Sequence, residues 1–264
     1  MLTIATVNVN GIRAAFRRGM GEWVDARRPD VLLLQEVRAP QELVGDFLPA
    51  SEWDLAHAES EAKGRAGVAI ASRLPMRAIR IGLGDGLPSS SGRWVEADLD
   101  LPGGEVLTVI STYIHSGTVG LPSMEEKYAF LDLVTARLAE LGAAGRLAVL
   151  AGDVNIAHRN VDLKNWKGNL KAAGCLPEER AYLDRWSDLG WVDVGRRLGG
   201  DGPGPYTWWS WRGKAFDNDA GWRIDYQLAT PALAARALKA EVDRAASYDA
   251  RFSDHAPVVV TYDV

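Results

Sequence analysis

The chain has 264 residues, of which 47% are hydrophobic and 25% charged, and this composition is typical of a folded globular protein. Its formal net charge is -5, so the overall charge gives no support to nucleic-acid binding. The single cysteine, Cys175, excludes an intramolecular disulfide and argues against a structural zinc cluster.

The N-terminal segment MLTIATVNVNG lacks the charged and apolar regions of a signal peptide. No window approaches eighteen consecutive apolar residues, so no membrane partner is expected. The sequence therefore predicts a cytoplasmic protein, and we expect a monomer.

Short apolar runs alternate with amphipathic segments, and no linker rich in Pro, Gly and Ser divides them, so a single α/β domain covering residues 1–264 is expected. Three helices are predicted, at 12–28, at 123–142 and from 177 to near 190. In the second, Ser123 is expected to open a capping box with Glu126. Strands are predicted, in chain order, in MLTIATVNVNG and at 31–34, 67–72, 93–99, 106–113, 147–151, 223–228 and 258–262.

Polar side chains follow or flank five of these apolar strands. Each of them alone is compatible with an ordinary turn or cap. Together they are harder to explain in that way, because α/β folds place their active sites at strand ends. The groups are Asn8 with Asn10, Glu36, Asp153 with Asn155, Asp225, and Asp254 with His255.

The stretch GDVNIAHRNVDLKN, residues 152–165, is the most informative of these ends. Asp153 and Asn155 stand two residues apart after a buried strand, so in an extended chain their side chains point to the same side. Such a pair is costly in a hydrophobic core and useful for chemistry.

Hard oxygen ligands with few histidines favour Mg²⁺, with Mn²⁺ as an alternative, over zinc. The remaining carboxylates and amides would orient an attacking water, and an Asp–His pair would hold an imidazolium against the developing negative charge. Phosphodiester hydrolysis requires this set of groups. The sequence contains neither the G-x-S-x-G motif of serine hydrolases nor a P-loop.

Five motifs resemble, in order and at similar intervals, the exonuclease III family of apurinic/apyrimidinic endonucleases, within the endonuclease/exonuclease/phosphatase superfamily. The resemblance covers essentially the whole chain. SDHAPV and LQE alone indicate only the superfamily, whereas DLKNWKGN and FDNDAGWRIDY indicate the DNA-repair branch. The five motifs are NVNGIR (8–13), LLLQE (32–36), GDVNIAHRNVDLKN (152–165), GWRIDYQL (221–228) and SDHAPV (253–258).

The resemblance implies a four-layer α/β sandwich, with two mixed β-sheets packed face to face and helices on the outside. It implies Mg²⁺-dependent cleavage of double-stranded DNA 5′ to abasic sites. Related enzymes also act as 3′ phosphodiesterases on blocked 3′ ends and as 3′-to-5′ exonucleases.

By resemblance, Glu36 is the principal metal ligand, supported by Asn8 and Asp254. Asp153 would position or deprotonate the attacking water, and Asn155 would orient that water and the phosphate. The resemblance implies three other catalytic residues. His255 is held by Asp254 and contacts the phosphate. Asp225 is a further carboxylate, and Tyr113 is a candidate for leaving-group assistance.

Resemblance also assigns a DNA-binding set. Trp208, Trp222 and Ile224 match the apolar pocket that receives a flipped-out abasic sugar, which is small and apolar on its faces. Arg159, Lys164 and Lys167 would hold backbone phosphates, and Arg212 belongs to a further basic group beside the tryptophans.

Two alternatives remain open. The same metal site would serve a superfamily phosphatase or phospholipase acting on inositol phosphates or sphingomyelin, which the acidic net charge slightly favours. A degenerate DNA-binding module without activity is disfavoured, because each expected catalytic position carries a competent residue.

Overall fold

Two mixed β-sheets, each of six strands, pack face to face in the computed structural model, which describes residues 1–84, 86 and 90–264. The strands are, in chain order, β1 (Leu2–Asn8), β2 (Val31–Gln35), β3 (Asp54–Ala58), β4 (Val68–Ser72), β5 (Met76–Ile81), β6 (Trp94–Asp100), β7 (Val106–Tyr113), β8 (Leu147–Asp153), β9 (Val192–Asp193), β10 (Asp225–Ala229), β11 (Ala237–Val242) and β12 (Val258–Tyr262).

The strand order is β11-β12-β1-β2-β4-β3 in the first sheet and β5-β6-β7-β8-β10-β9 in the second. Helices lie in the connections between the strands. They are α1 (Ile12–Arg17), α2 (Met20–Arg27), α3 (Gln41–Phe47), α4 (Pro122–Ala143), α5 (Trp166–Asn169), α6 (Pro177–Asp188), α7 (Val194–Gly199) and α8 (Pro231–Ala234), with a 3-10 helix at Asn160–Asp162.

Three apolar layers hold the sandwich together. The central layer lies between the sheets and takes one face of each, as with Leu33 of β2 and Val109 of β7. The opposite face of the first sheet packs under α1 to α3, and that of the second sheet packs under α4 and α6. Because both faces of the central strands are buried, these strands are continuous apolar runs. The expected four-layer sandwich is confirmed.

Each sheet contains one parallel pair at its centre, β1 with β2 and β7 with β8, and all other pairings are antiparallel. The carboxyl ends of parallel strands meet at one edge of a sheet. Asn8 aligns with Gln35 in the first sheet, and Tyr113 aligns with Asp153 in the second. The two parallel pairs therefore bring polar side chains from four strands to the same end of the sandwich.

The predicted helix over 12–28 is wrong in one respect, because the segment forms two helices. Gly19 adopts the left-handed conformation, with φ of +100°, and turns the chain between α1 and α2. The apolar residues keep helical spacing across the break, since both helices face the same sheet.

The predicted capping box at Ser123 and Glu126 is also wrong. Helix α4 begins one residue earlier, at Pro122, and its N-cap is Leu121 without a side-chain cap. Proline suits the first helical position because its missing N–H would have no partner there. In the part of the chain that the structure describes, no helix is both long and apolar enough to cross a lipid bilayer.

Gly152 explains why the apolar run of β8 ends in a glycine. Its φ is +145°, and a Cβ added to it would lie 2.0 Å from the Thr112 carbonyl oxygen of the neighbouring strand and 3.2 Å from the Gln35 side chain of the other sheet. Only glycine lets β8 approach both neighbours at this point. The close approach sets the position of Asp153, the next residue.

We expect Gly152→Ala to lower the free energy of unfolding by about 3 kcal/mol or more, since it combines overpacking with backbone strain. Gly45→Ala is the matched control: Gly45 lies in α3 with open space around its Cβ position, so stability should rise by up to about 1 kcal/mol. Urea denaturation measures both, and equal unfolding midpoints for Gly152→Ala and the wild type would contradict the packing argument.

Candidate active site

Polar residues from both sheets converge at the carboxyl ends of the two parallel pairs. Asn8, Tyr113 and Asp153 are the last residues of β1, β7 and β8, and Glu36 directly follows β2. Asp225, the first residue of antiparallel β10, lies opposite Asp153 in the ladder. Strand direction and register thus place residues from five strands at one site.

A cavity of about 370 Å³ opens over these strand ends. Asn8 and Asp225 are buried and do not line it. The residues around the cavity are Asn10, Glu36, Arg38, Tyr113, Ser116, Gly117, Asp153, Asn155, Ala173, Trp208, Trp222, Ile224, Asp254 and His255.

Asn8 joins the two sheets at the bottom of the cavity. Its Nδ2 donates to Glu36 Oε1 at 2.8 Å in its own sheet and to Asp153 Oδ2 at 2.9 Å in the other. Its Oδ1 accepts from the Asn10 backbone N–H at 3.0 Å. One amide therefore keeps two carboxylates side by side and lowers the cost of their mutual repulsion.

His255 is paired with Asp225, and the expected pairing with Asp254 is wrong. His255 Nδ1 lies 2.8 Å from Asp225 Oδ2, and its Nε2 lies 3.7 Å from Asp153 Oδ2. Both carboxylate oxygens of Asp254 have other partners, Asn10 and Trp208, and no hydrogen bond between Asp254 and the imidazole is formed among the described residues.

Asp254 instead links the loop after β1 to Trp208. Its Oδ1 accepts from Asn10 Nδ2 at 2.9 Å, and its Oδ2 accepts from the Trp208 indole N–H at 3.0 Å. The Asp254 carboxylate thereby fixes the position of Trp208 beside His255, with ring centroids 6.4 Å apart.

Burial is the largest influence on Asp153 and raises the pKa of its carboxyl group to about 7, with Asp225 adding to the rise and His255 opposing it. Burial also disfavours the imidazolium of His255, but the Asp225 and Asp153 carboxylates outweigh this effect and raise the pKa of His255 to about 10. The site therefore holds a weakly acidic carboxyl group next to a stable imidazolium.

Tyr113 stays protonated at the cavity wall. Burial raises the pKa of its phenol, and the nearby Glu36 and Asp153 carboxylates raise it further. The Arg93 guanidinium lies over the ring, 4.8 Å from its centroid. Tyr113 can therefore offer a hydrogen-bond donor to a ligand in the cavity.

The donor set fits a hard divalent cation. Ligand atoms of Asp153, Asp225 and His255 lie within 4.8 Å of one another. His255 as an imidazolium offers no lone pair to a cation, so the carboxylates are the available ligands. Asp225 Oδ1 is buried and accepts no hydrogen bond from the described residues, and Glu36 presents a further carboxylate 2.8 Å from the shared Asn8 amide. Such a concentration of carboxylate oxygens is typical of Mg²⁺ or Mn²⁺ sites.

Trp208 and Trp222 form an aromatic wall on one side of the cavity. Their rings meet edge to face, 6.2 Å apart at an interplanar angle of 81°, and their backbones form mutual hydrogen bonds of 2.9 Å. Ile224 packs with both in a small apolar cluster. The predicted aromatic pocket residues thus adjoin the predicted catalytic residues.

The predicted phosphate-binding residues lie outside the cavity. Arg159 lines a separate cavity of about 460 Å³ and pairs with Asp201 at 2.8 Å. Lys164 and Lys167 are exposed on the segment that follows β8, and Arg212 is exposed beyond the tryptophans.

Asn10 and Arg38 also belong to the site. Asn10 is one of the polar strand-end residues predicted from the sequence, but its pairing with Asp254 joins residues 244 positions apart and has no local signal. Arg38 forms a salt bridge with Glu36 and follows it by two residues in a turn where both adopt positive φ angles. No pattern in the sequence predicts that turn.

Residues 5–255 match the model of the endonuclease/exonuclease/phosphatase family. The chain belongs to this family. The "DNA repair nuclease APEX1" of Danio rerio is 32% identical over 98% of this chain and 81% of its own length. The family resemblance predicted from the five motifs is therefore confirmed.

Solved structures agree with this assignment over whole chains. An AP endonuclease from Archaeoglobus fulgidus is 30% identical, with a TM-score of 0.87 and complete coverage of both chains. A 3′ phosphatase, NExo, from Neisseria bound to a product DNA hairpin is 27% identical, with a TM-score of 0.87 and complete coverage of both chains.

We expect Asp153→Asn to stabilise the metal-free protein relative to the wild type, more at about pH 8 than at about pH 5. The pKa of the Asp153 carboxyl group is about 4 in the unfolded chain and about 7 in the folded protein. The free energy of unfolding of the wild type therefore falls as the pH rises from the first value to the second. The amide does not titrate and avoids this loss of up to about 1.4 kcal/mol per pH unit. Urea unfolding in EDTA measures the difference, and a difference independent of pH would contradict the assigned shift.

Proposed function

We propose that this chain acts as a single-domain DNA repair nuclease over residues 1–264. It hydrolyses, with a divalent metal ion, the phosphodiester bond 5′ to abasic sites in duplex DNA. It also has 3′ phosphodiesterase and 3′-to-5′ exonuclease activity. The observation that carries the proposal is the convergence of Glu36, Asp153 and the Asp225–His255 pair beside the Trp208–Trp222 wall.

The relatives support a DNA substrate. The names of the matched proteins include an AP endonuclease, a DNA repair nuclease and a 3′ phosphatase bound to product DNA. These activities differ in the position of the bond that is cut, and each hydrolyses a phosphoester. A single metal-supported site serves all of them.

The cofactor is Mg²⁺, with Mn²⁺ as a substitute. Glu36 would be its principal ligand, with Asn8 and Asp254 as the supporting groups predicted from the motifs. A bound ion would supply polarisation of the scissile phosphate and stabilisation of the negative charge that develops there. Magnesium needs few protein carboxylates, since it keeps waters and binds substrate phosphate.

Asp153 accepts a proton from the attacking water. The water oxygen forms a bond to phosphorus while the bond to the upstream 3′ oxygen breaks. That oxygen takes up a proton from bulk water, which leaves a 3′ hydroxyl and a 5′ phosphate. A carboxyl group with a pKa near 7 is well matched to this proton transfer at neutral pH.

The other polar residues stabilise the developing charge and orient the reacting groups. The His255 imidazolium, held by Asp225 at 2.8 Å, donates to a non-bridging phosphate oxygen and offsets the developing charge. Asn155 orients the water and the phosphate. The neutral Tyr113 phenol donates to the leaving 3′ oxygen, because its raised pKa keeps its proton in place.

The aromatic wall selects the abasic site. Trp208, Trp222 and Ile224 would receive a flipped-out sugar on their apolar surface, and we expect this surface to favour a sugar without a base over an intact nucleotide. Lys164, Lys167, Arg159 and Arg212 bind backbone phosphates outside the cavity, which explains how an acidic protein holds DNA.

The test is cleavage of a duplex with one tetrahydrofuran abasic analogue, compared with an intact duplex, in Mg²⁺, in Mn²⁺ and in EDTA. We expect metal-dependent incision immediately 5′ to the analogue and slower degradation of the intact duplex from its 3′ ends. Asp153→Asn should abolish both activities while remaining folded, since only a proton acceptor is removed.

Failure to cut either duplex would contradict the proposal. Inositol phosphates and sphingomyelin would then be tested, because the same metal site suits those phosphoesters. Binding of abasic duplex without any cleavage in Mg²⁺ would instead favour an inactive DNA-binding module.

We expect Lys164→Ala and Lys167→Ala each to weaken DNA binding and to reduce the slope of log Kd against log salt by about 0.9, since each removes one phosphate contact. Lys239→Ala is the control. Lys239 forms a salt bridge with Glu241 on β11. Its neighbours across the sheet are Thr261 of β12 and then Thr3 near the beginning of β1, at the end of the strand away from the site. Fluorescence anisotropy at several salt concentrations gives the slopes, and unchanged slopes in the two variants would remove these lysines from the interface.

The expected cytoplasmic location and monomeric state stay predictions, and gel filtration of the protein with and without DNA tests the latter.

A further inference from the structure

A buried ion pair lies directly behind the active-site cavity. Lys127 of α4 and Glu179 of α6 are fully buried, and Lys127 Nζ lies 2.5 Å from Glu179 Oε1. Burial of a charged pair costs desolvation energy on both sides, and apolar residues of similar volume often stabilise a core equally well. Stability alone therefore does not account for this pair.

Lys127 also donates to two backbone carbonyl groups of the cavity wall. Its Nζ lies 2.9 Å from the Asn155 carbonyl oxygen and 3.2 Å from that of Ser116. Both residues line the cavity, and they belong to the loops after β8 and β7. One ammonium group thus connects the loops that follow Asp153 and Tyr113.

Glu179 holds a third loop in the same arrangement. Its Oε2 accepts from the Gly174 N–H at 2.6 Å and from the Leu176 N–H at 3.1 Å. A Cβ at Gly174 would lie 3.0 Å from the Asn155 carbonyl oxygen and 3.2 Å from the Trp222 ring. The loop held by Glu179 therefore packs against the same carbonyl group that Lys127 binds.

The backbone conformation of Asn155 benefits from such support. Asn155 has a φ of +54°, a left-handed conformation that asparagine tolerates better than most residues and that surrounding contacts stabilise further. Its N–H donates to Asp153 Oδ1 at 3.0 Å, and its side-chain Nδ2 donates to the Ile114 carbonyl oxygen at 2.9 Å. Lys127 supplies the remaining constraint, on the carbonyl oxygen.

We propose that Lys127 is a positioning residue of this active site: fixed in the core by Glu179, it holds the backbone of Asn155 and Ser116 so that the Asn155 side chain is directed at the attacking water and the phosphate. The role of Asn155 rests on the proposed function. Lys127 contacts no reacting atom and acts only through these backbone groups.

The test compares two double variants, each of which replaces one cationic residue of α4 and its carboxylate partner in another element. Lys127→Met/Glu179→Gln removes the ammonium and keeps a side-chain oxygen for the Gly174 and Leu176 N–H groups. Arg137→Met/Glu96→Gln is the matched control, since Arg137 of the same helix pairs with buried Glu96 of β6, outside the cavity lining.

We expect the Lys127→Met/Glu179→Gln variant to lose kcat on the order of 100-fold with unchanged KM, as small misplacements of catalytic groups cost about this much. The control should keep the wild-type kcat, with a comparable fall in melting temperature. Equal kcat values for the two variants, or a loss confined to KM, would overturn the proposal.

Hydrogen–deuterium exchange separates this inference from the proposed function. We expect faster exchange of the backbone amides of residues 154–157 in the Lys127→Met/Glu179→Gln variant, and wild-type exchange there in the control. A wild type that cuts no DNA contradicts the proposed function, whereas equal exchange in the two variants contradicts the positioning role. If the first variant does not fold, the isosteric single variant Glu179→Gln decides: loss of the carboxylate that fixes Lys127 should speed exchange of the amides of residues 154–157 and lower kcat, and wild-type exchange and kcat in that variant would overturn the role.

Discussion

The hydrogen bonds from one buried amide, that of Asn8, connect the two sheets at the point where chemistry is concentrated. Its Nδ2 binds Glu36 in one sheet and Asp153 in the other, so the separation of these carboxylates is set by the packing of the sandwich. Repulsion between the carboxylates opposes their approach, and the amide offsets part of it. The alignment of the two central parallel strand pairs makes this contact possible.

Charge is distributed in this protein according to distance from the cavity. Inside, carboxylates prevail, and the His255 imidazolium, held by Asp225, is stabilised by them. This local excess of negative charge costs stability without a cation and favours binding of one. Outside the cavity, the exposed Lys164 and Lys167 supply the positive charge that a phosphate backbone requires. The net charge of -5 is a sum over the chain and does not reveal this separation of negative and positive regions.

Rigidity around the site comes from buried polar groups as well as from apolar packing. Asp254 fixes Trp208, Gln35 donates to Ser111 of the opposite sheet, and Lys127 binds the Asn155 carbonyl oxygen. Each of these polar atoms is satisfied by a partner that is distant in the sequence. A buried polar group with such a partner favours one arrangement of the chain over its alternatives.

The sequence by itself determined an α/β domain and its polar strand ends, because continuous apolar runs are local patterns that can be read without the fold. The sandwich was predicted only through the resemblance of the five ordered motifs to a known family. Tertiary structure decided which groups pair: His255 binds Asp225 rather than its neighbour Asp254, because β10 brings Asp225 beside the imidazole while Asp254 accepts from Asn10 and Trp208. It also decided that α1 and α2 are separate helices and that Lys127, which lies within a charged stretch of a helix and has no recognisable pattern, is fully buried. Pairings of this kind depend on distances between segments far apart in the chain, which no local pattern contains.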